Sequence, residues 1–409
     1  MKVGFKQIVI NPEFPVNRML YHNQEKHQAV ADDLHCRMLV IDPCEEGKRP
    51  WYHISIDSVE IWTEVRNQIK AAVEEALGYR TDMVVSATHS HNCPCMTTDY
   101  AWNAWLINKI KENVTSIELK EYQTLEYSYN YRYFNQLGDS READLKHNAV
   151  HLYAETLSFY GDGKRIGTVL IYNSHPTIKK LWDGDFTSEY PGYCIEQLNR
   201  KYPGEFFAFM LGPAGDVSPH FVRENQDYSE IARLGDKLVA EYERQLAHQS
   251  ERFPVDKFIY REKTIPNETG NPIDMGNAYI PPSERLTPQE KQTLTRSFKL
   301  NPDGRPHMAR ELEPMEHNDV QMFSQLILNE NYSIIFEPFE LYSEFYGSVN
   351  KQTTSIVSVS NGFDHYITGL YLNHVVMHGS FNSPFGTQMK KDMWELFGKW
   401  SCQKECDTF

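Results

Sequence analysis

The sequence predicts an α/β fold with a mixed β-sheet core and flanking helices. Two observations support this prediction. Apolar, strand-like runs alternate along the chain with segments of helical periodicity, and five of the apolar runs end in short polar segments. The composition agrees, because 40% of the residues are hydrophobic and 13% are aromatic. We interpret the 409 residues as one large domain over 1–409.

The first part of the chain shows this alternation most clearly. Strands are expected at Met38–Asp42, His53–Asp57 and Met83–Ala87. A helix is predicted between the second and third strands, with Gly78 as its stop, because apolar residues recur there at every third or fourth position: Val59, Trp62, Val65, Ile69, Val73 and Leu77.

The rest of the chain continues the alternation with one interruption. The stretch 253–318 is rich in proline and charge and lacks periodicity. We interpret it as a lid or surface excursion within one domain, because the segments on both of its sides contribute to the same set of motifs. The remaining predicted elements are strands at Ile166–Tyr172, Phe206–Leu211, Tyr332–Phe336 and Thr354–Ser360, with helices near 190–201 and 227–248.

Charge and cysteine content limit the partners and the compartment. A formal charge of -15 and a pI near 5.5 argue against nucleic acid and anionic membranes, since both bind basic surfaces. The chain has no apolar run of roughly 18 residues and no secretory signal, so we expect no integral membrane segment. Seven scattered cysteines suit reduced thiols, and Cys93 and Cys95 are favoured as packing residues over metal ligands. These features predict a cytoplasmic protein and leave a homo-oligomer open.

Five predicted strands run directly into segments rich in metal-ligand or catalytic residue types. In open α/β sheets, pockets lie beyond the carboxyl ends of the strands. We therefore predict that these five segments line one crevice: 88–91, 173–177, 215–220, 337–340 and 361–366.

Histidines in two of these segments are candidate metal ligands. His89 and His91 lie two residues apart, so both rings project from one face if strand geometry persists. By themselves, two such histidines are more often ordinary hydrogen-bonding residues than ligands. His175 occupies the equivalent place on another strand, and Glu340 would complete a His, His, Glu set of the kind that catalytic zinc sites use. Glu337 competes with Glu340 for that role.

Two further residues have competing interpretations. Ser218, in Gly-Asp-Val-Ser-Pro-His, is either an activated nucleophile or part of a tight turn, and the absence of a GxSxG elbow favours the turn. Arg132 lies in the aromatic run YSYNYRYFN, where an arginine is usually a stacked surface group.

Taken in order, these motifs resemble the catalytic N-terminal region of the neutral/alkaline, non-lysosomal ceramidase family. SATHSHNCP (86–94) is similar to the family's ATHTHSGP-like element, NSHPT (173–177) to its HP or HG segment, and GDVSPH (215–220) to its GDVSPN hexapeptide. The resemblance spans most of residues 1–375. We expect the chain to lack the family's C-terminal immunoglobulin-like domain, since it ends near residue 409.

The resemblance implies a zinc-dependent amidase with a ceramidase-like catalytic domain. Such an enzyme cleaves the amide bond of a small-molecule N-acyl substrate with water activated by Zn²⁺. The family's substrate-contacting or oxyanion-contacting residues correspond to His91 and Arg132, and its proposed serine to Ser218, which under a metal-water mechanism binds substrate. The family's metal ligands correspond to His89, His175, Glu340 and, on a weaker match, Tyr366.

Departures from the family predict an altered pocket. NCPC replaces an SGPG-like segment beside the histidines, Tyr131 replaces a small residue next to Arg132, and Phe363 stands where a tyrosine is common. These changes favour an N-acyl substrate other than ceramide. Two other functions are kept as alternatives: a metal-containing N-acyl or lipid-binding protein with little catalysis, and a metal-dependent esterase.

Overall fold

The computed structural model describes residues 1–18, 26–94, 96, 99–141, 150–180, 184–248, 250–266, 320–368 and 387–402. Among these residues, no helix is long and apolar enough to cross a membrane. The expected lid at 253–318 falls largely outside the described residues, because only 253–266 of it is included.

The described residues form twenty strands and five α-helices. The strands are β1 (Lys2–Val9), β2 (Val16–Asn17), β3 (Lys26–His27), β4 (His35–Asp42), β5 (Trp51–Ile56), β6 (Asp82–Ala87), β7 (Lys120–Glu121), β8 (Leu125–Tyr133), β9 (Asp139–Ser140), β10 (Tyr153–Gly161), β11 (Lys164–Tyr172), β12 (Phe206–Leu211), β13 (Val217–Ser218), β14 (Phe253–Pro254), β15 (Ile259–Pro266), β16 (Val320–Asn329), β17 (Tyr332–Phe336), β18 (Glu340–Leu341), β19 (Thr354–Val357) and β20 (Tyr366–Ile367). The helices are α1 (Thr63–Leu77), α2 (Tyr100–Val114), α3 (Glu189–Lys201), α4 (Tyr228–Ala247) and α5 (Thr387–Ser401).

Three mixed sheets form the centre of the fold. The first sheet has the strand order β7-β1-β4-β5-β6, the second β14-β8-β10-β11-β12 and the third β15-β16-β17-β19. Each sheet is antiparallel except for one parallel pair at one edge, which is β5 with β6, β11 with β12, and β17 with β19. The predicted α/β class with a mixed-sheet core is confirmed.

Apolar side chains fill three clusters between these layers. One cluster joins the three sheets and includes Trp51, Leu157 and Phe336. A second packs α1 to α4 against the first and second sheets, and a third packs α5 against the third sheet. The helices therefore cover the sheets from outside, as the flanking helices of an α/β fold do.

Residues 358–361, which follow β19, join the edges of all three sheets. The N–H of Ser358 donates to the carbonyl of Leu211 in β12 at 2.8 Å. The N–H of Ala87 in β6 donates to the carbonyl of Val359 at 3.1 Å. This contact brings the carboxyl ends of β6, β12 and β19 to one place.

Asn361 fixes the same joint with its side chain. Its Oδ1 accepts from the N–H of Val85 in β6 at 3.0 Å, and its Nδ2 donates to the Oγ of Ser324 in β16 at 3.1 Å. Asn361 has φ of 62°, a left-handed conformation that asparagine tolerates better than most residues. The asparagine thus links the first sheet to the third.

Several element boundaries differ from those that the sequence predicts. Helix α1 begins at Thr63 instead of Val59, because Val59 and Trp62, which match the helical spacing, lie in the segment between β5 and the helix, and Trp62 is the extended residue just before it. The predicted stop is confirmed, since Gly78 has φ of 76° and its N–H donates to the carbonyl of Glu74. The strand expected at 354–360 ends at Val357, because Val359 adopts φ of 53°.

Other elements were not among those predicted from the sequence. The aromatic run that contains Arg132 forms β8, which pairs with β10 over its whole length. The stretch interpreted as an excursion begins with two strands, β14 and β15, that pair with β8 and β16. Residues 267–318 of that stretch lie outside the described part of the chain, so the lid stays a prediction.

We expect the substitution Asn361→Ala to lower the free energy of unfolding by about 2–4 kcal/mol, because it leaves the buried N–H of Val85 without its acceptor. Chemical denaturation measures this change. The control is Asn350→Ala, an exposed asparagine whose Oδ1 accepts from the N–H of Gln352, with an expected loss below about 1 kcal/mol. Equal losses in the two variants would contradict a special role for Asn361.

Candidate metal centre

The five polar segments after the strands meet at one site. His89 and His91 follow β6, and His175 follows β11. The segment after β12 supplies backbone carbonyls to His175, while Glu340 and Tyr366 face each other as paired residues of β18 and β20. The segments that were predicted to line one crevice therefore converge in the fold.

His89 is held in a single ring orientation. Its backbone lies in the left-handed region, with φ of 65°, directly after the end of β6. Its Nδ1–H donates to the carbonyl of Val59 at 2.6 Å, and the side chain is fully buried. The Nε2 atom therefore faces the site, 3.4 Å from Oε2 of Glu340.

His175 is oriented in the same way from the second sheet. Its Nδ1 lies 2.7 Å from the carbonyl oxygen of Ala214 and 3.0 Å from that of Val217, so Nδ1 carries the proton. Its Nε2 lies 2.8 Å from Oε2 of Glu340. Burial, with Arg141 as the next cause, lowers the pKa of His175 to about 4.

Glu340 places its carboxylate between the two rings. Burial by itself would raise the pKa of Glu340, but His89 and His175 hold it well below its usual range. Its Oε2 faces the Nε2 atoms of both rings, whose Nδ1 atoms face backbone carbonyls on the opposite side of each ring. Acceptors that converge in a buried space call for a cation between them.

The donor set fits a divalent metal ion. Two neutral imidazole nitrogens and one carboxylate oxygen form a common catalytic zinc ligand set, and backbone carbonyls that fix the Nδ1–H tautomer are typical partners of metal-binding histidines. His89, His91 and His175 offer ring nitrogens that lie within 4.8 Å of one another. The described residues therefore contain a site that matches metal binding in both chemistry and orientation.

His91 lies at the more accessible side of this cluster. Its Nε2 is 3.3 Å from Nε2 of His89, and its ring centre is 5.7 Å from that of His175. Burial, together with His89 and His175, lowers the pKa of His91 well below its usual value, so the ring is neutral at neutral pH. His91 is partly exposed, whereas His89 is fully buried. The predicted division, with His89 on the metal and His91 on the substrate, stays a prediction.

Tyr366 and Arg141 complete the described cluster. The Tyr366 ring stacks on His175, and its hydroxyl lies 3.4 Å from Nε2 of that histidine. Arg141 directs Nη1 to the same Nε2 at 3.1 Å and donates to the Tyr366 hydroxyl at 3.2 Å. Because arginine only donates, its contact agrees with Nε2 of His175 as an acceptor.

The structure does not bring Arg132 to the cluster. Arg132 lies on β8, two strands away from β11, with a side chain that is 56% exposed and a carboxylate of Glu241 at 3.8 Å. The prediction that Arg132 contacts substrate therefore gains no support from this placement, and Arg141 is the arginine that contacts His175 and Tyr366. Arg141 follows β9, which pairs with β13 beside Val217, and such long-range pairing has no sequence pattern that would have identified it.

The structure places Ser218 and Glu337 beside the cluster, with other contacts. Ser218 is buried, and its Oγ accepts from the N–H of His220 at the start of a short 3₁₀ turn, which agrees with the turn interpretation. Glu337 is fully buried and accepts from the N–H of Phe339 at 2.9 Å. Glu340, and not Glu337, contacts both histidines.

Cys93 is buried and donates to the carbonyl of Thr187 at 3.6 Å, and burial raises its pKa well above the usual value. These contacts agree with the packing interpretation. Cys95 lies outside the described residues.

Comparison with solved structures shows that the chain has a ceramidase-like fold. One similar structure, described as ceramidase complexed with C2, shares 14% sequence identity and has a TM-score of 0.73 over 98% of this chain and 74% of that chain. Another is the neutral ceramidase from Pseudomonas aeruginosa, with 13% identity, a TM-score of 0.73 and the same coverage. No family model and no curated protein match the sequence. The resemblance seen in the motifs is confirmed at the level of the fold.

Glu337 generates a prediction about stability and pH. Burial raises the pKa of Glu337 to about 8, against an ordinary value of 4.5, although hydrogen bonds oppose the shift. The folded state therefore holds this proton more tightly than the unfolded state, and stability is lost as pH rises from about 4.5 through 8. We expect Glu337→Gln to remove that loss, so the variant gains stability relative to the wild type between pH 5 and pH 9.

Denaturant unfolding at pH 5 and at pH 9 measures this gain as a difference in the free energy of unfolding. The matched control is Glu121→Gln at an exposed position, where the difference from the wild type should not change with pH. Parallel pH dependence of wild type and Glu337→Gln would contradict the prediction.

Proposed function

We propose that this protein is a metal-dependent hydrolase that cleaves an amide bond of a small N-acyl substrate. The observation that carries the proposal is the convergence of His89, His175 and Glu340, whose Nε2 and Oε2 atoms meet within 2.8–3.4 Å with their acceptor sides facing inward. We further propose that these three residues hold Zn²⁺, with the Tyr366 hydroxyl as a fourth ligand. Zinc suits a nitrogen, nitrogen and oxygen donor set.

A bound zinc ion would supply a Lewis acid that polarises a carbonyl group and lowers the pKa of water. The protein's contribution is to hold the ligands in place without side-chain freedom. Val59, Ala214 and Val217 fix the two histidine rings through their backbone carbonyls. This orientation is therefore present before any substrate arrives.

Arg141 and Tyr366 are proposed to stabilise negative charge that develops on the substrate. Both are hydrogen-bond donors at the ligand cluster, and they contact each other at 3.2 Å. The Tyr366 hydroxyl lies 3.4 Å from Nε2 of His175, and Nη1 of Arg141 lies 3.1 Å from the same atom, so both groups border the place where that charge would appear. Donors fixed in a buried site need no reorganisation when charge appears, which makes them effective in acyl transfer.

His91 and Ser218 are proposed to contact the substrate. His91 lies on the accessible side of the cluster and is neutral, so a ring nitrogen can accept a proton or a hydrogen bond from a bound amide. Ser218 is buried next to Val217, whose carbonyl orients His175, and its hydroxyl is proposed to bind substrate without attacking it.

The substrate is proposed to be an N-acyl compound, and the ceramidase-like fold supports an amide as the scissile group. Phe363, one of the departures from the ceramidase motifs, has its ring centre 6.3 Å from that of His365, which precedes Tyr366 in the chain. A panel of N-acyl compounds that differ in chain length and amine therefore tests the substrate class directly.

Metal removal should abolish hydrolysis, and added zinc should restore it. We expect His175→Ala and Glu340→Gln to lower zinc affinity by at least about 100-fold and to lose hydrolysis with it. Glu337→Gln is the matched control, because this buried glutamate does not contact the histidines, and it should keep its zinc. Zinc per chain is measured by mass spectrometry of the metal, and hydrolysis by release of the amine.

An enzyme that is indifferent to chelator and active as His175→Ala would overturn the metal-dependent proposal. A zinc-loaded protein that binds N-acyl ligands but leaves amides and esters intact would instead support a binding function.

The two arginines provide a matched pair of variants. We expect Arg141→Ala to lower kcat/KM by about 10²- to 10³-fold, since it removes a donor at the site of developing charge. Arg132→Ala should change kcat/KM by less than about 2-fold, because an exposed ion pair contributes little. Steady-state kinetics on the best N-acyl substrate measures both values. A larger effect at Arg132 than at Arg141 would refute the assignment.

A further inference from the structure

We propose that Glu189 is a positioning residue that clamps together the two loops that carry the histidines, and thereby sets the affinity for metal. This inference rests on the proposed metal centre. It assigns a role to a buried carboxylate that contacts none of the candidate ligands itself, and whose effect passes through Asn92, Ile178 and Lys179.

The carboxylate of Glu189 joins one loop to the other by hydrogen bonds. Its Oε1 accepts from Nδ2 of Asn92 at 3.0 Å and from the N–H of Lys179 at 2.8 Å. Its Oε2 accepts from the N–H of Ile178 at 3.1 Å. Asn92 directly follows His91, and Ile178 and Lys179 lie three and four residues after His175. One side chain thus restrains both histidine loops.

Two direct contacts also join the described parts of the two loops. Asn92 donates from Nδ2 to the carbonyl of Lys179 at 3.3 Å, and the N–H of His91 lies 3.4 Å from the carbonyl of Pro176. Both distances are at the long end for hydrogen bonds. The shorter and charge-assisted contacts of Glu189 are therefore the stronger part of the connection.

Glu189 is itself held rigidly. It starts helix α3 with φ of 57°, a left-handed conformation that costs energy for a residue with a side chain. The preceding residues are fastened by Asp32, which accepts from the N–H of Ser188 at 2.7 Å and from the hydroxyls of Ser188 and Thr187. A fixed backbone and a fully buried side chain give the carboxylate one position.

Energetics favour a positioning role over a stabilising one. Removing a carboxylate from water is costly, and a buried ionised group often contributes less to stability than a neutral side chain of equal size would. The strained backbone adds to that cost. Glu189 therefore carries two costs to stability, a buried carboxylate and a strained backbone. Its role is better explained by the way it holds the two histidine loops together.

The decisive variant is Glu189→Gln. Glutamine keeps the size of the side chain and one acceptor oxygen, but its amide NH₂ is a donor and must face at least one donor of the loops. Helix α4 offers the matched control Glu230→Gln. Glu230 is also buried and near a helix start, and it accepts from the N–H of Glu224 at 2.7 Å, but it binds neither histidine loop.

Zinc affinity, measured by competition with a chelator at pH 8, should fall by about 10- to 100-fold in Glu189→Gln and stay unchanged in Glu230→Gln. Burial raises the pKa of Glu189 to about 7, and pH 8 lies above this value, so most of the carboxyl groups are ionised in the assay. Hydrogen exchange of peptides that cover 88–92 and 175–180 should become faster by about tenfold in the metal-free Glu189→Gln protein.

Unchanged zinc affinity in Glu189→Gln would overturn the inference, even if the loops exchange faster, because the residue would then serve the fold alone. An equal loss of affinity in Glu230→Gln would overturn it as well. If the wild-type protein binds no zinc, the proposed function fails. In that case hydrogen exchange of metal-free Glu189→Gln tests separately whether Glu189 holds the two loops together. Faster exchange confined to the two loops supports this role, and unchanged exchange refutes it.

Discussion

The hydrogen bonds that residues 358–361 make with the edges of two other sheets are the constraint on which the rest of the structure depends. Through Leu211 and Ala87 they place the carboxyl ends of β12 and β6 beside the end of β19. Each of these ends continues into a loop that supplies either a candidate ligand or a carbonyl that orients one. The site is therefore a product of sheet docking, and no single sheet contains it.

That docking explains how the cluster can hold acceptors so close together without a proton between them. The carbonyls of Val59, Ala214 and Val217 come from loops that follow two different sheets, and they occupy the Nδ1 side of both rings. The rings have no freedom to present the other nitrogen. Oε2 of Glu340 faces the Nε2 atoms of the same two rings, and the backbone carbonyls that orient the rings stay in place when side chains are substituted.

Much of the fold and part of the site could be predicted from the sequence. Apolar runs identified β12 and β17 to the residue, and the order of the motifs located His89, His175 and Glu340. Arg141 was missed because only the pairing of β9 with β13 brings it to His175. The tyrosine-rich β8 was missed because its burial depends on distant partners. Lys351, for example, pairs with Glu155 at 2.5 Å and lies over the Tyr129 ring.

The origin of the cluster in three sheets has a consequence for the order of folding events. Its members lie between positions 89 and 366, so they can come together only after contacts of very large sequence separation have formed. A partly folded chain with one or two completed sheets would present at most isolated histidines. Tight binding of a metal ion would therefore report complete assembly of the chain, and its binding energy would favour the native state over every intermediate.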